Sequence, residues 1–280
     1  STGKVVDGNL DTDNTLKKLS VDNCTLSPEF SSSVTEYSCT VINDIASITI
    51  NADANSSSAK VKGIGNKNLT VGENSYQIRV IAEDGSEKVY TLKITRKESI
   101  NIFGKSYEVI EKEPTLTTSS NNTSDKSGLY KSTLTNTGEP TYYFRGNVEN
   151  NYVSFAGFTW RIVRINEDGT IRIIMQDGIN NNKTYSYDSN RIDYNHMYYS
   201  NSEAKNILEN WYNTNIKTVS SEYVANGSYY CEQAKTKVSQ NWTSGNAIMD
   251  LYSSYIPDFK CKTDGNGKGI VNASIGLLSY

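Results

Sequence analysis

The stretch Tyr76-Gln77-Ile78-Arg79-Val80-Ile81, the turn Asp84-Gly85 and the stretch Val89-Tyr90-Thr91-Leu92-Lys93-Ile94 decide the fold of the first part of the chain. Both stretches alternate at period two and are rich in β-branched and aromatic residues, so each turns one face to a core and one to water. Asp-Gly tolerates the positive φ that a tight reversal needs. The two stretches are therefore expected to pair antiparallel. Ser47-Ile48-Thr49-Ile50-Asn51-Ala52 keeps the same period, and from Asp13 to Lys97 short strands and turns alternate roughly every ten residues. Residues 13–97 read as an all-β sandwich, preceded by an extension over 1–12.

Around this segment the totals set limits. At about 100–200 residues per domain, a chain of 280 residues accommodates two domains. The net charge of −3, from 28 basic and 31 acidic residues, leaves no surplus of cations to neutralise a phosphate backbone, which excludes nucleic acid as an expected partner. No run approaches the roughly 20 apolar residues of a membrane helix, so no membrane contact is expected of this segment. Tyrosine outnumbers phenylalanine 20 to 6 and histidine occurs once, which starves most acid–base chemistry of its usual parts. The Asn, Lys, Tyr and Ile bias is equally well explained by an AT-rich genome.

From Glu98 to Lys126 the chain turns to Ser, Thr, Asn, Lys and Glu, as in Thr117-Thr118-Ser119-Ser120-Asn121-Asn122-Thr123-Ser124. Such a composition buries too little surface to order itself, and 98–126 reads as a linker or long loop. Ile102-Phe103 and Tyr107-Val109-Ile110 leave open a strand belonging to the second unit. Residues 127–280 mix strands with helices and are expected to form an α+β domain. Thr141–Gly146, Tyr152–Ala156, Phe158–Ile165 and Thr170–Met175 read as strands, the last two joined through Glu167-Asp168-Gly169. Ser202 caps an expected helix with Ala204, Ile207, Leu208 and Trp211 on one face. A second, weaker helix is expected over about 247–255, stopping before Pro257.

Two family resemblances follow from particular residues. Leu16-x-x-Leu19-Ser20-Val21, Leu26-Ser27-Pro28-Glu29-Phe30, Thr35-Glu36-Tyr37 and Ala82-Glu83-Asp84-Gly85-Ser86-x-x-x-Tyr90-Thr91-Leu92-x-Ile94-x-Arg96 resemble the cadherin-like β-sandwich repeat of bacterial surface proteins. This implies an immunoglobulin/cadherin-like sandwich, here without the Asp-rich calcium linkers of true cadherins. Tyr142–Gly146, Asn151-Tyr152-Val153-x-Phe155-Ala156-Gly157-x-x-Trp160-Arg161-Ile162-x-Arg164-Ile165 and Ile275-Gly276-Leu277-Leu278 resemble an uncharacterised module of surface proteins of low-GC Gram-positive gut bacteria. That module is similar to the C-type-lectin-like fold. The resemblance implies that the second domain is truncated at its C-terminus, because the family's chain continues beyond Gly-Leu-Leu.

Cys24 and Cys39 fall in the first unit, Cys231 and Cys261 in the second. Of the connectivities open to them, only Cys24–Cys39 with Cys231–Cys261 leaves the domains untied, and these two disulfides are expected. The alternative is free buried thiols. Such bonds persist only in oxidising surroundings, so an extracellular location is expected. No Cys-x-x-Cys pair or neighbouring histidine supports zinc, and no metal or cofactor is expected.

His196 lacks a nucleophile elbow and reads as a loop residue. No catalytic residue is assigned and the chain is not expected to be an enzyme. The acidic spacing at Asp7–Asp13 departs from a calcium loop at its Gly position, Thr12, and its Glu position, Lys18, whereas that at Asp264–Gly269 keeps the Gly but has Ile275 in place of the Glu, and both read as turns. The tract Asn180–Asn201 sets Tyr185, Tyr187, Tyr194, Tyr198 and Tyr199 among small polar residues, the composition of a paratope-like contact surface. The competing reading has these tyrosines packing onto their own domain.

The expected function is a non-enzymatic, monomeric, extracellular segment of a Gram-positive surface protein. A sandwich spacer presents a binding module to a host or cell-surface protein or glycan. Two other readings stand beside it: a structural stalk, with or without a Lys–Asn isopeptide bond, and an enzyme built on a lectin-like fold.

Overall fold

A computed structural model describes residues 8–111, 126–186, 199–225, 227, 229–231, 259 and 270–276. The chain divides into two units, Ser1–Val109 and Ile110–Tyr280.

In the first unit, β6 (Gly72–Ile81) and β7 (Glu87–Arg96) form the antiparallel hairpin read from the alternation, with Ile78 opposite Tyr90 and Val80 opposite Lys88. Gly85 at φ 87° makes the reversal, and the Asp84 carboxylate accepts from the Ser86 N–H at 2.9 Å. Period-two alternation sends Ile78, Val80, Tyr90, Leu92 and Ile94 inward, and all five are fully buried. β4 (Lys60–Lys62) pairs with β6, and β2 (Glu36–Val41) runs parallel to β7, giving a sheet of order β2-β7-β6-β4. The facing sheet has the order β1 (Leu16–Val21), β3 (Ser47–Ala54), β5 (Gly65–Asn68). Leu16, Leu19, Val21, Ile48 and Ile50 from this sheet meet Tyr37, Cys39, Ile78, Val80 and Leu92 from the other in one core.

The tract expected as a linker begins instead with a hairpin, β8 (Ser99–Ile102) and β9 (Lys105–Ile110). Its turn takes Phe103 and Gly104 through the left-handed region, and Ile102, Tyr107 and Val109 are buried. These few apolar residues lie at period two in the paired strands, and the polar average of the longer tract hid them. Residues 112–125 of that tract lie outside the described residues, as does the helix expected over 247–255.

In the second unit the expected strands form an antiparallel sheet. β13 (Phe158–Ile165) lies at its centre. β14 (Ile171–Met175) pairs along one edge of β13. β12 (Tyr152–Phe155) takes the first half of the other edge and β11 (Thr141–Arg145) its last residues, with β10 (Gly128–Ser132) beyond β11. A helix, Glu203–Tyr212, follows, and helical turns continue it to Tyr223. Ser202 caps it, its hydroxyl accepting from the Lys205 N–H at 3.2 Å. Of the expected apolar face Trp211 is buried, while Ala204, Ile207 and Leu208 are half-buried. β15 (Tyr229–Cys231) and β16 (Ile270–Asn272) form a short antiparallel pair. Among the described residues no helix is long and apolar enough to cross a membrane.

Candidate binding surface

Cys24 and Cys39 form a disulfide across a sequence separation of 15, with their Cα atoms 5.8 Å apart. It ties the turn after β1 to β2 in the opposite sheet. Cys261 lies outside the described residues, and with it the expected second disulfide.

The acidic stretch before β1 is a set of turns. Asp13 accepts from the Thr15 N–H at 2.9 Å and from the Asn55 amide at 2.7 Å, and Asp11 accepts from the Asp13 N–H at 2.9 Å and from the Ser56 hydroxyl. Their oxygens face donors of the protein, as in Asx turns, and no cluster of three or more metal-ligating side chains occurs among the described residues.

Of the tyrosines expected to form a contact surface, Tyr187, Tyr194 and Tyr198 lie outside the described residues, as does His196. Tyr185 follows a turn, Ile179–Asn182, in which Asn180, Asn181 and Asn182 all take left-handed backbone. Asparagine tolerates this region because its short amide bonds locally. The Asn182 side-chain oxygen accepts from the Gly178 N–H, and the Asn180 amide donates to the Tyr185 hydroxyl at 2.6 Å. The Lys183 ammonium lies 5.2 Å from the centre of the Tyr185 ring. Tyr185 is thus half-buried and held from two sides, with part of its ring left to solvent.

Tyr199 corrects the expectation. It is buried rather than exposed, and its hydroxyl donates to the Ile275 carbonyl at 3.0 Å while its carbonyl accepts from the Ser202 hydroxyl at 2.9 Å. Apolar ring area next to the Ser202 cap stabilises more inside than in water, so this tyrosine anchors the tract to its own domain.

An aromatic cluster joins β13 to the helix Glu203–Tyr212. Trp211 packs 6.3 Å from Trp160 and 5.2 Å from Phe158, and Trp160 donates its indole N–H to the Phe155 carbonyl at 2.9 Å. Outside it, Arg161 stacks 4.9 Å from the ring of Tyr152, which is 40% exposed.

A buried polar network escaped the reading of the residues. Arg164 is 8% exposed. It donates from Nε to the Thr141 hydroxyl and from Nη2 to Glu167, both at 2.7 Å. The Thr141 hydroxyl donates onward to the Ile165 carbonyl at 2.6 Å, and the Asn151 amide to the Ile162 carbonyl at 2.8 Å. The only sequence signal was Glu167 three residues after Arg164. Nearby, the Thr170 hydroxyl and amide hold the Asp168 carboxyl below the usual carboxylate range. Burial pushes the Tyr230 phenol up, partly opposed by Arg172.

The described side chains offer aromatic faces, amides and cations, a set suited to non-covalent contact. Residues 16–97 match the family model of the cadherin-like beta sandwich domain. No curated protein matches the chain, and no solved structure matches it.

Proposed function

We propose that this chain is a non-enzymatic segment of a bacterial cell-surface protein, in which the cadherin-like sandwich acts as a spacer and the second unit binds a host or cell-surface protein or glycan. One observation carries the extracellular assignment: a sandwich of cadherin-like type stapled internally by Cys24–Cys39. A structural disulfide of this kind persists where thiols are not kept reduced, and cadherin-like domains are typically extracellular. The binding assignment is supported by Tyr185, Tyr152 and the cations beside them, aromatic surface with adaptable polar neighbours. In this reading the second unit is an α+β module of C-type-lectin-like kind, its sheet followed by one capped helix. The reading includes a second disulfide, Cys231–Cys261, a monomeric state, and no metal or cofactor. A glycan and host-protein array probed with the intact chain tests the binding assignment. Saturable binding weakened by Tyr185→Ala supports it, and saturable binding untouched by that change removes the loop from the contact.

A stalk without a ligand is the second reading, favoured by the match lying on the sandwich alone. Its cross-linked form needs a lysine beside an asparagine inside a core. Among the described residues no lysine is buried. Intact mass separates the forms, since each Lys–Asn bond loses one ammonia.

A further inference from the structure

We propose that Arg164 and Arg172 form a paired clamp that seats the rings of Phe259 and Tyr230 side by side on the β13–β14 hairpin, and so brings together the two chain passes that carry the second pair of cysteines.

The inference starts from a break in register. Arg161 pairs with Ile174 and Ile162 with Ile173, but the next pair is Arg164 with Arg172, which leaves Val163 without a partner. Such a bulge re-aims the side chains that follow it. Simple alternation would put Arg164 on the face of Ile162; the extra residue turns it to the face of Arg172, because cross-strand partners share a face. Two like charges directly opposed destabilise a sheet unless each has its own compensation. Here each has. Thr141 and Glu167 hold Arg164, and the Asn166 side-chain oxygen accepts from Arg172 Nε at 3.0 Å.

Each guanidinium also carries a ring. Phe259 sits 4.4 Å from Arg164 and Tyr230 sits 4.6 Å from Arg172. Phe259 is fixed from behind by the Tyr143 ring at 4.9 Å, and its N–H donates to the Leu134 carbonyl at 2.7 Å. Tyr230 is fixed by Gly276, where any Cβ would overlap the ring carbons. Neighbouring arginines on one hairpin therefore receive rings from two distant parts of the chain. A flat guanidinium suits this role better than an ammonium, because its plane stacks on a ring face while its N–H groups keep their hydrogen bonds.

Cys231 follows Tyr230 directly, and Cys261 follows Phe259 by two residues. Two residues of chain reach about 7 Å at most. The clamp so fixes the starting points of both cysteine passes. This part rests on the Cys231–Cys261 pairing proposed above.

The test uses the full chain, reduced and then reoxidised in a glutathione buffer, with timed alkylation and peptide mapping. Phe259→Ala and Arg172→Lys are expected to slow Cys231–Cys261 formation about tenfold and to leave Cys24–Cys39 formation unchanged, while Phe259→Tyr restores the wild-type rate. Wild-type rates in both disruptive variants overturn the clamp. A parallel measurement stands apart from the pairing. Under limited proteolysis of the reduced, alkylated chain, cleavage between residues 225 and 276 is expected to run about tenfold faster in Phe259→Ala and Arg172→Lys than in wild type, with 8–111 intact. Equal cleavage rates overturn the clamp. A wild-type chain that never forms Cys231–Cys261 but shows this cleavage difference overturns the pairing and keeps the clamp.

Discussion

The hydroxyl of Tyr90, on β7, accepts a hydrogen bond from the backbone N–H of Leu16, on β1, at 3.1 Å, and donates one to the Ser32 carbonyl at 2.9 Å. Tyr90 and Leu16 belong to different sheets and both are fully buried. One phenol thus satisfies a strand-end donor of the facing sheet and holds the turn between β1 and β2. Tyr90→Phe keeps the ring and leaves the Leu16 N–H without its acceptor. The expected loss is about 1–3 kcal/mol of unfolding free energy, measured by urea titration. An unchanged midpoint contradicts this role.

The Cys24–Cys39 bond closes a loop of 15 residues. Its removal by paired Cys24→Ser and Cys39→Ser should cost the sandwich about 3 kcal/mol on the chain-entropy account. Differential scanning calorimetry in the presence and absence of reductant checks it, and the sandwich transition of the double variant should show no further response to reductant.

Gly63 combines a φ of 89° with a Cβ position that overlaps the Gln77 carbonyl oxygen on β6. Gly63→Ala is expected to destabilise the first unit by about 1–3 kcal/mol from backbone strain, with the overlap adding to it. Gly65→Ala, with a similar φ and open space, should cost less. The reverse ranking in chemical denaturation contradicts the packing described.

Asp11, Asp13 and Asp84 are held below the ordinary carboxylate value of 3.8, by Ser56 and the Asp13 amide, by Thr15 and Asn55, and by Ser86. A depressed folded pKa means that the stabilisation is present above the unfolded value and is lost as pH falls through the folded one. The thermal midpoint should therefore stay flat from pH 7 to about 5 and fall below about 4. Asp13→Asn should make that acid-side fall shallower.

Strand alternation made most of the sandwich legible. Ile78, Val80, Tyr90 and Leu92 are buried where period two puts them, and Asp84-Gly85 turns where positive φ is tolerated. The hairpin 99–110 was less legible because Ile102, Tyr107 and Val109 are diluted by polar neighbours. Tyr199 could not be assigned from composition, since a tyrosine in a polar tract serves a contact surface and a buried anchor equally well. Arg164 was hidden for a different reason: its pairing with Arg172 depends on the bulge at Val163, and a register break leaves no mark in the residue pattern.

We propose that this chain works outside the cell as a disulfide-stapled spacer and binding segment. The decisive measurement is a count of thiols with a maleimide, in denaturant and without reductant, on protein freshly isolated from its native source. No reactive thiol is expected, with Cys24 linked to Cys39 and Cys231 to Cys261 on peptide mapping. Four reactive thiols would contradict it.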